Sequence, residues 1–333
     1  MVITSYEVIF RGFWVASIDR TAYPRFKRVV SARELAEAFT PTPDEAGWAR
    51  TKTTTDQHFL ALVVLLKCYQ RLGYFPKLVA VPPVVVDCVR SKLELAEAVE
   101  AVYESDRTLW RHRDFVRARL GVKYTPANVR EVAESAIRKA VQSKDNPADL
   151  INVALDELVR QSCELPGYTT LDAMTASIRT EVNTGLFSRV AARPDRMQRA
   201  RLKRLLWVDP ATRRSEFDRL KDSAGAATLG KFKDRLARLA ALDALGPTEL
   251  WLDGIPPGKV AHFAGEARVT DAADMRKVLN DDKRLTLLIS LVHECRTSAR
   301  DEVVTMFCKR LAALHKKGRE RLAEIQSANR AET

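Results

Sequence analysis

The chain lacks most of what an enzyme, a secreted protein or a membrane protein would require. Its five cysteines, Cys68, Cys88, Cys163, Cys295 and Cys308, are odd in number and far apart, with no Cys-x-x-Cys pair. That pattern excludes a disulfide framework and fits small apolar residues in a reducing cytoplasm, so the expected location is cytoplasmic. The histidines His58, His112, His262, His293 and His315 are scattered. His293-Glu294-Cys295 are neighbours in sequence and cannot share one helix face, so no metal site is expected. There is no glycine-rich phosphate loop, no serine elbow and no spaced acid set suited to a two-metal nuclease. The expectation is no catalytic residue, no cofactor and no enzyme activity.

Long apolar runs are missing too. The longest, Phe59 to Leu66, falls well short of the roughly 20 residues that cross a bilayer. Val8 to Val15 is broken by Arg11 and Gly12 and has no basic region ahead of it. It reads as neither a signal peptide nor a span, so no membrane partner is expected. Strand-like alternation is absent except for a short ambiguous run at Val79 to Val86. The fold class is therefore all-α, multi-helical, with two or more consecutive helical subdomains.

Positive charge is what the chain has in excess. Its 333 residues contain 55 Lys and Arg against 43 Asp and Glu, a net charge of +12. The hydrophobic share of 46% and charged share of 29% are those of a globular protein long enough for more than one domain. A basic surplus of this size favours a polyanionic partner, with nucleic acid first.

The surplus is concentrated in two places. In Arg107 to Tyr124, Arg107, Arg111, Arg113, Arg117, Arg119 and Lys123 oppose a single acid, Asp114. Leu109, Val116 and Leu120 form an apolar stripe at helical spacing, with Arg107 and Arg111 opposite, and Gly121 ends the helix. Trp110 and Phe115 are expected to anchor this helix while it presents guanidinium groups outward, the chemistry suited to phosphate or a guanine edge. An ordinary solvated face with surface ion pairs is the competing account. The second concentration is Arg193 to Arg238, with 14 Lys and Arg against 6 Asp and Glu. It holds Arg199, Arg201, Lys203 and Arg204 beside Trp207, then Arg213, Arg214, Lys231, Lys233, Arg235 and Arg238. A third basic element is the arm from Ser17 to Arg28, where Tyr23 and Phe26 lie among Arg20, Arg25, Lys27 and Arg28, and Pro24 keeps the chain extended. Such an arm enters a minor groove or packs its aromatics on the following helices. The DNA-binding candidates are Arg25, Lys27, Arg28, Arg107, Arg111, Arg113, Arg117, Arg119, Lys123, Arg199, Arg201, Lys203, Arg204, Arg213, Arg214, Lys231, Lys233 and Arg235.

Capping signals divide the remainder. Ser31 and Glu34 form a capping box that starts a helix at Ala32, and Pro41 and Pro43 follow it. Helices are then expected over 44–50, over 57–72 with Asp56 as cap, from Pro83 to about Leu93, and over an acidic stretch to Glu104. Thr125-Pro126 and Asn146-Pro147 each open a helix, and the turn between those two carries no specific helix-turn-helix signal. Thr169-Thr-Leu-Asp172 caps a helix to about Val190, and further helices are expected around 259–267, 272–279, 285–297 and 300–326. The expected organisation is a poorly defined tail at 1–16, an N-terminal helical DNA-binding region at 17–165, and a second basic helical region at 166–333.

Several stretches together resemble the N-terminal part of replicative transposases of the Tn-three family. They include Ile18-Asp-Arg-Thr-Ala-Tyr-Pro-Arg-Phe26, Arg33-Glu-Leu-Ala-Glu37 with Phe39-Thr-Pro-Thr-Pro43, and Leu62-Val-Val-Leu-Leu-Lys67 leading to Gln70-Arg-Leu-Gly-Tyr-Phe-Pro76. Next come Arg111-His-Arg-Asp114, Leu120-Gly-Val-Lys-Tyr124 and Leu165-Pro-Gly-Tyr-Thr-Thr-Leu171. Late in the chain are Phe263-Ala-Gly-Glu-Ala-Arg268, Asp271-Ala-Ala-Asp-Met-Arg276, Leu285-Thr-Leu-Leu288 and Met306-Phe-Cys-Lys-Arg310. Their number and order carry the resemblance, which runs from about Ser17 to Leu322; residues 1–16 have no counterpart in it. It implies helical domains that bind double-stranded DNA at transposon terminal inverted repeats. It also implies a catalytic metal-binding domain further along than this sequence extends, so DNA transposition would be served here by recognition alone. Self-association or contact with a full-length transposase is a further partner reading. The rival readings are a helical scaffold for RNA or an acidic protein, an unrecognised nuclease, and a truncated regulator competing with full-length transposase.

Overall fold

The computed structural model describes residues 18–222 and 229–331. The tail expected at 1–16 lies outside them. Among the described residues every regular element is helical, and the only extended pairings are two isolated bridges. The chain forms two compact units, residues 1–180 and 181–333.

The first unit is built around α3 (Asp56–Leu72). Its run Phe59-Leu-Ala-Leu-Val-Val-Leu-Leu is apolar on every side, so no face can be left to water. Phe59 to Tyr69 are accordingly all buried. Thr55, not Asp56, caps its first turn, and Gly73 closes it in the left-handed conformation at φ 74°. Around α3 pack α1 (Ala32–Glu34), the π-helical turn Leu35–Phe39 that continues it, α2 (Pro43–Lys52), α4 (Pro83–Lys92) and α5 (Asp106–Leu120). Phe39, Val85, Val89 and Val116 complete this core. One charge enters it. Lys67 is buried and reaches the Glu45 carboxylate at 3.2 Å, while Gln70 donates to the same carboxylate at 2.7 Å. Glu45 also accepts from the Thr42 backbone at 2.8 Å as half of the capping box of α2, so its oxygens are occupied from three sides. Next come α6 (Pro126–Ala140) and α7 (Pro147–Arg160), which pack on each other and are capped by Thr125 and Asn146 as their Thr-Pro and Asn-Pro signals require.

Two expected stretches of secondary structure also need correction in this unit. The acidic stretch to Glu104 is not helical. Glu94 turns left-handed at φ 57° directly after α4, and Arg90 holds the returning chain by donating to the Val99 carbonyl at 2.8 Å. Leu95, Val99 and Ala101 then pack against the core as separate contacts, which a helix with one apolar face would not allow. The run at 79–86 is not a strand but a 3₁₀ turn, Leu78–Ala80, followed by α4.

The helix α8 (Tyr168–Ala191) leads into the second unit, where α9 (Arg196–Arg204), α10 (Glu216–Arg219), α11 (Leu229–Asp243), α12 (Thr248–Trp251), α13 (Pro257–Val269) and α14 (Ala272–Lys277) surround the first half of α15 (Asp281–Ala331). Leu285 to Val292 of α15 are buried among Phe187, Leu202, Phe217, Trp251 and Phe263. The two helices expected at 285–297 and 300–326 are thus one, because no proline or glycine interrupts 281–317 and Ala299 is itself packed in the core. Gly246 is structurally required: its φ is 133°, and a Cβ there would lie 2.2 Å from the Trp251 ring.

Candidate nucleic-acid interface

The basic helix α5 begins at Ser105, whose side chain accepts from the Thr108 backbone, and ends at Gly121 with φ 65°. Its inner face is Val116 and His112, with Leu109, Phe115 and Leu120 half-buried beside them. His112 hydrogen-bonds through Nδ1 to the Tyr103 hydroxyl at 2.9 Å and lies edge-on to His58. Burial, aided by the Arg111 and His58 charges, holds the His112 pKa down to about 4, so the ring is neutral. Trp110 is no anchor: it is 62% exposed. At about 100° per residue it lies some 240° round the helix from Val116, so the inner face cannot reach it.

The arginines of α5 divide by direction. Arg107 and Arg111 are exposed beside Trp110 with no ion pair, and Lys123, just past the helix, is exposed as well. Arg113 is half-buried over the Phe75 ring. Arg117 donates to Asp114 at 2.7 Å and to Glu164 at 2.8 Å, and it lies 3.9 Å from the Tyr124 ring centre. Burial alone would lower its pKa, but the bonds to Glu164 and Asp114 outweigh that and raise it. Arg119 stacks over Trp48 and pairs with Asp44. Arg113, Arg117 and Arg119 therefore hold α5 onto its neighbours. The N-terminal arm behaves similarly. Tyr23 is buried against Tyr74 and Tyr168, Phe26 stacks on Phe39, Arg25 pairs with Asp19, and Lys27 pairs with Glu34. The arm packs on the unit, and of its three candidates only Arg28 carries no ion pair.

In the second unit α9 is the richest basic element. Asp195 and Gln198 form a full capping box, and the helix itself carries no acid. Leu202 is buried, while Arg196, Met197, Ala200, Arg201 and Arg204 are exposed. Those positions follow the i, i+1, i+4, i+5, i+8 rule, so they share one face. Arg196 and Arg204 make no ion pair, and Arg201 reaches only the Ala244 carbonyl at 3.4 Å. Arg199 instead donates to the Pro194 carbonyl at 3.0 Å, and Lys203 pairs with Asp281 at 2.8 Å.

A tight loop follows α9. Val208 and Ser215 form an antiparallel bridge, and the Asp209 carboxylate accepts from the Ala211 backbone and the Thr212 hydroxyl, both at 2.9 Å. Phe217, fully buried, ties the loop down, its N–H donating to the Leu205 carbonyl. Trp207 stands 70% exposed at the loop's start, and Arg213 is exposed with φ 53° and no ion pair. Arg214 pairs with Asp222 at 2.8 Å. On α11, Lys231 pairs with Asp234, Lys233 is exposed, and Arg235 is buried against Glu302. Arg196 and Met197 were missed at the level of sequence. Their signal is the 196–200–204 spacing behind an Asp-x-x-Gln box.

Among the described residues no group of three or more His, Cys, Asp or Glu side chains could hold a metal ion, and no helix is long and apolar enough to cross a membrane. Residues 16–178 match a family model described as a domain of unknown function, DUF4158. Over 169 residues, half of this chain, the sequence is 28% identical to the transposase for transposon gamma-delta of Escherichia coli (strain K12). The chain spans 16% of the length of that transposase. These matches mark a transposase-related region within the chain.

Proposed function

We propose that the chain is the DNA-binding part of a transposase and that it recognises transposon terminal inverted repeats, without a catalytic centre of its own. The observation that carries this reading is the exposure, in each unit, of a helix face whose arginines have no acidic partner: Arg107 and Arg111 on α5, Arg196 and Arg204 on α9. Ion-paired surface cations would already be neutralised and would give a polyanion little to replace. With Arg28, Lys123, Arg201, Arg213 and Lys233 these form a set in the range of roughly 6–10 phosphate contacts. Most would bind phosphate and fix register, leaving a few to read bases. The 28% identity to a transposase supports the choice of DNA over other polyanions.

The test is a titration of the chain with three probes: duplex carrying a terminal repeat of transposon gamma-delta, a scrambled duplex, and single-stranded RNA of equal length. Preference for the repeat is expected. Equal affinity for all three rejects end recognition and favours a general polyanion scaffold. Incubation with labelled duplex and Mg²⁺ or Mn²⁺ is expected to leave the DNA uncut.

A further inference from the structure

We infer that α9 is a base-reading helix, lying in the major groove and selecting a short block containing guanine and thymine. The following loop grips the adjacent backbone. This rests on the DNA-binding reading above and adds where, and by what chemistry, sequence is read.

Four observations carry it. First, size: an α-helix with its side chains is about 10–12 Å across, which a major groove about 12 Å wide admits, and the nine residues of α9 at 1.5 Å rise would extend about 14 Å along it. Second, chemistry: the outward face is Arg196, Met197, Ala200, Arg201 and Arg204, with no acid on the helix. Guanidinium groups bind O6 and N7 of guanine through two parallel hydrogen bonds, and small or flexible apolar groups pack on the thymine methyl. Third, cost: Met197 is 66% exposed in the midst of arginines, an apolar side chain that gains nothing from water and would gain from a methyl contact. Fourth, continuity: the Trp207 N–H donates to the Arg204 carbonyl at 3.0 Å, so the loop starts within one turn of the reading face. That places exposed Trp207 beside α9, with Arg213 projecting from the same closed loop. A purely electrostatic surface would need neither the exposed methionine nor the exposed tryptophan.

The test uses the full chain and a randomised duplex pool, selected and sequenced in parallel for wild type and the double variant Arg201→Lys with Arg204→Lys. Lysine keeps the charge but loses the two-pronged donor. Both side chains are exposed, so folding should survive, and far-UV circular dichroism checks it. Wild type is expected to enrich a motif. The variant should keep its affinity for random-sequence duplex, and its salt dependence, within about twofold. It should lose guanine preference over one contiguous block, about 5- to 150-fold per base pair. Within that block, exchanging thymine for uracil should weaken wild type but not Met197→Ala. A variant that enriches the unchanged motif overturns the assignment to α9 while leaving end recognition standing. A wild-type chain that enriches no motif, or binds no duplex, removes end recognition itself and this inference with it.

Discussion

Replacing Arg117 with alanine separates the arginines that build α5 from those that serve a partner. The Arg117 side chain is 16% exposed and its partner Glu164 12%, with Asp114 and the Tyr124 ring completing the contact. Breaking a fully buried pair costs about 3–5 kcal/mol, and residual exposure trims this to about 2–4. Loss of the ring contact falls within that range. For a unit of this size each kcal/mol moves Tm by about 2–4 °C, so a drop of roughly 4–16 °C is expected. Arg111→Ala, on the same helix but facing water, should stay within about 0.5 kcal/mol of wild type. DNA binding should respond in the opposite order. Arg111→Ala is expected to reduce the salt slope by about one, and Arg117→Ala, measured where it is folded, to leave it unchanged. Urea unfolding followed by circular dichroism and anisotropy titration over a salt series read the two quantities. An Arg117→Ala protein of wild-type stability, or one that alone loses a unit of slope, would refute the division.

Three more outcomes follow from the packing. His112 is buried neutral, its pKa lowered from 6.5 to about 4, so the unfolded chain binds the extra proton between those values. Stability contributed by this group is therefore full above pH 6.5 and declines as pH falls toward 4, by up to about 3 kcal/mol. His112→Phe, compared by urea unfolding at pH 7 and pH 5, should show a smaller loss than wild type; equal losses would contradict the buried neutral ring. Phe217→Ala should cost the second unit about 3–5 kcal/mol, because the ring is fully enclosed and ties down the loop after α9; calorimetry reads this. Gly246→Ala should cost about 1–3 kcal/mol or more, since its Cβ would collide with Trp251, and a wild-type melting curve would exclude that geometry.

The helical fold was legible because its signals are local. Thr125-Pro126, Asn146-Pro147 and Gly121 each mark a boundary within a residue or two of where it falls. The errors lie where distant parts of the chain decide. Glu94 turns left-handed because Arg90 and the core beneath it claim the returning chain, which no window of sequence displays. Trp110 faces outward because His112, an ambiguous residue in a helical pattern, occupies the inner face. The candidate arginines were read as one population. Glu164 lies 47 residues from Arg117 and Asp44 lies 75 from Arg119, so their ion pairs could not be anticipated. Arg196 was passed over beside denser neighbours, although its spacing to Arg204 was visible.

The most direct test of the account is the salt dependence of duplex binding by the intact chain. With roughly 6–10 phosphates neutralised, log Kd should change linearly with log salt at a slope of about 5–9, and affinity should fall about 10³–10⁵-fold between 50 and 200 mM. A slope near zero, or no binding at 50 mM, would mean that the unpaired arginines of α5 and α9 do not meet DNA.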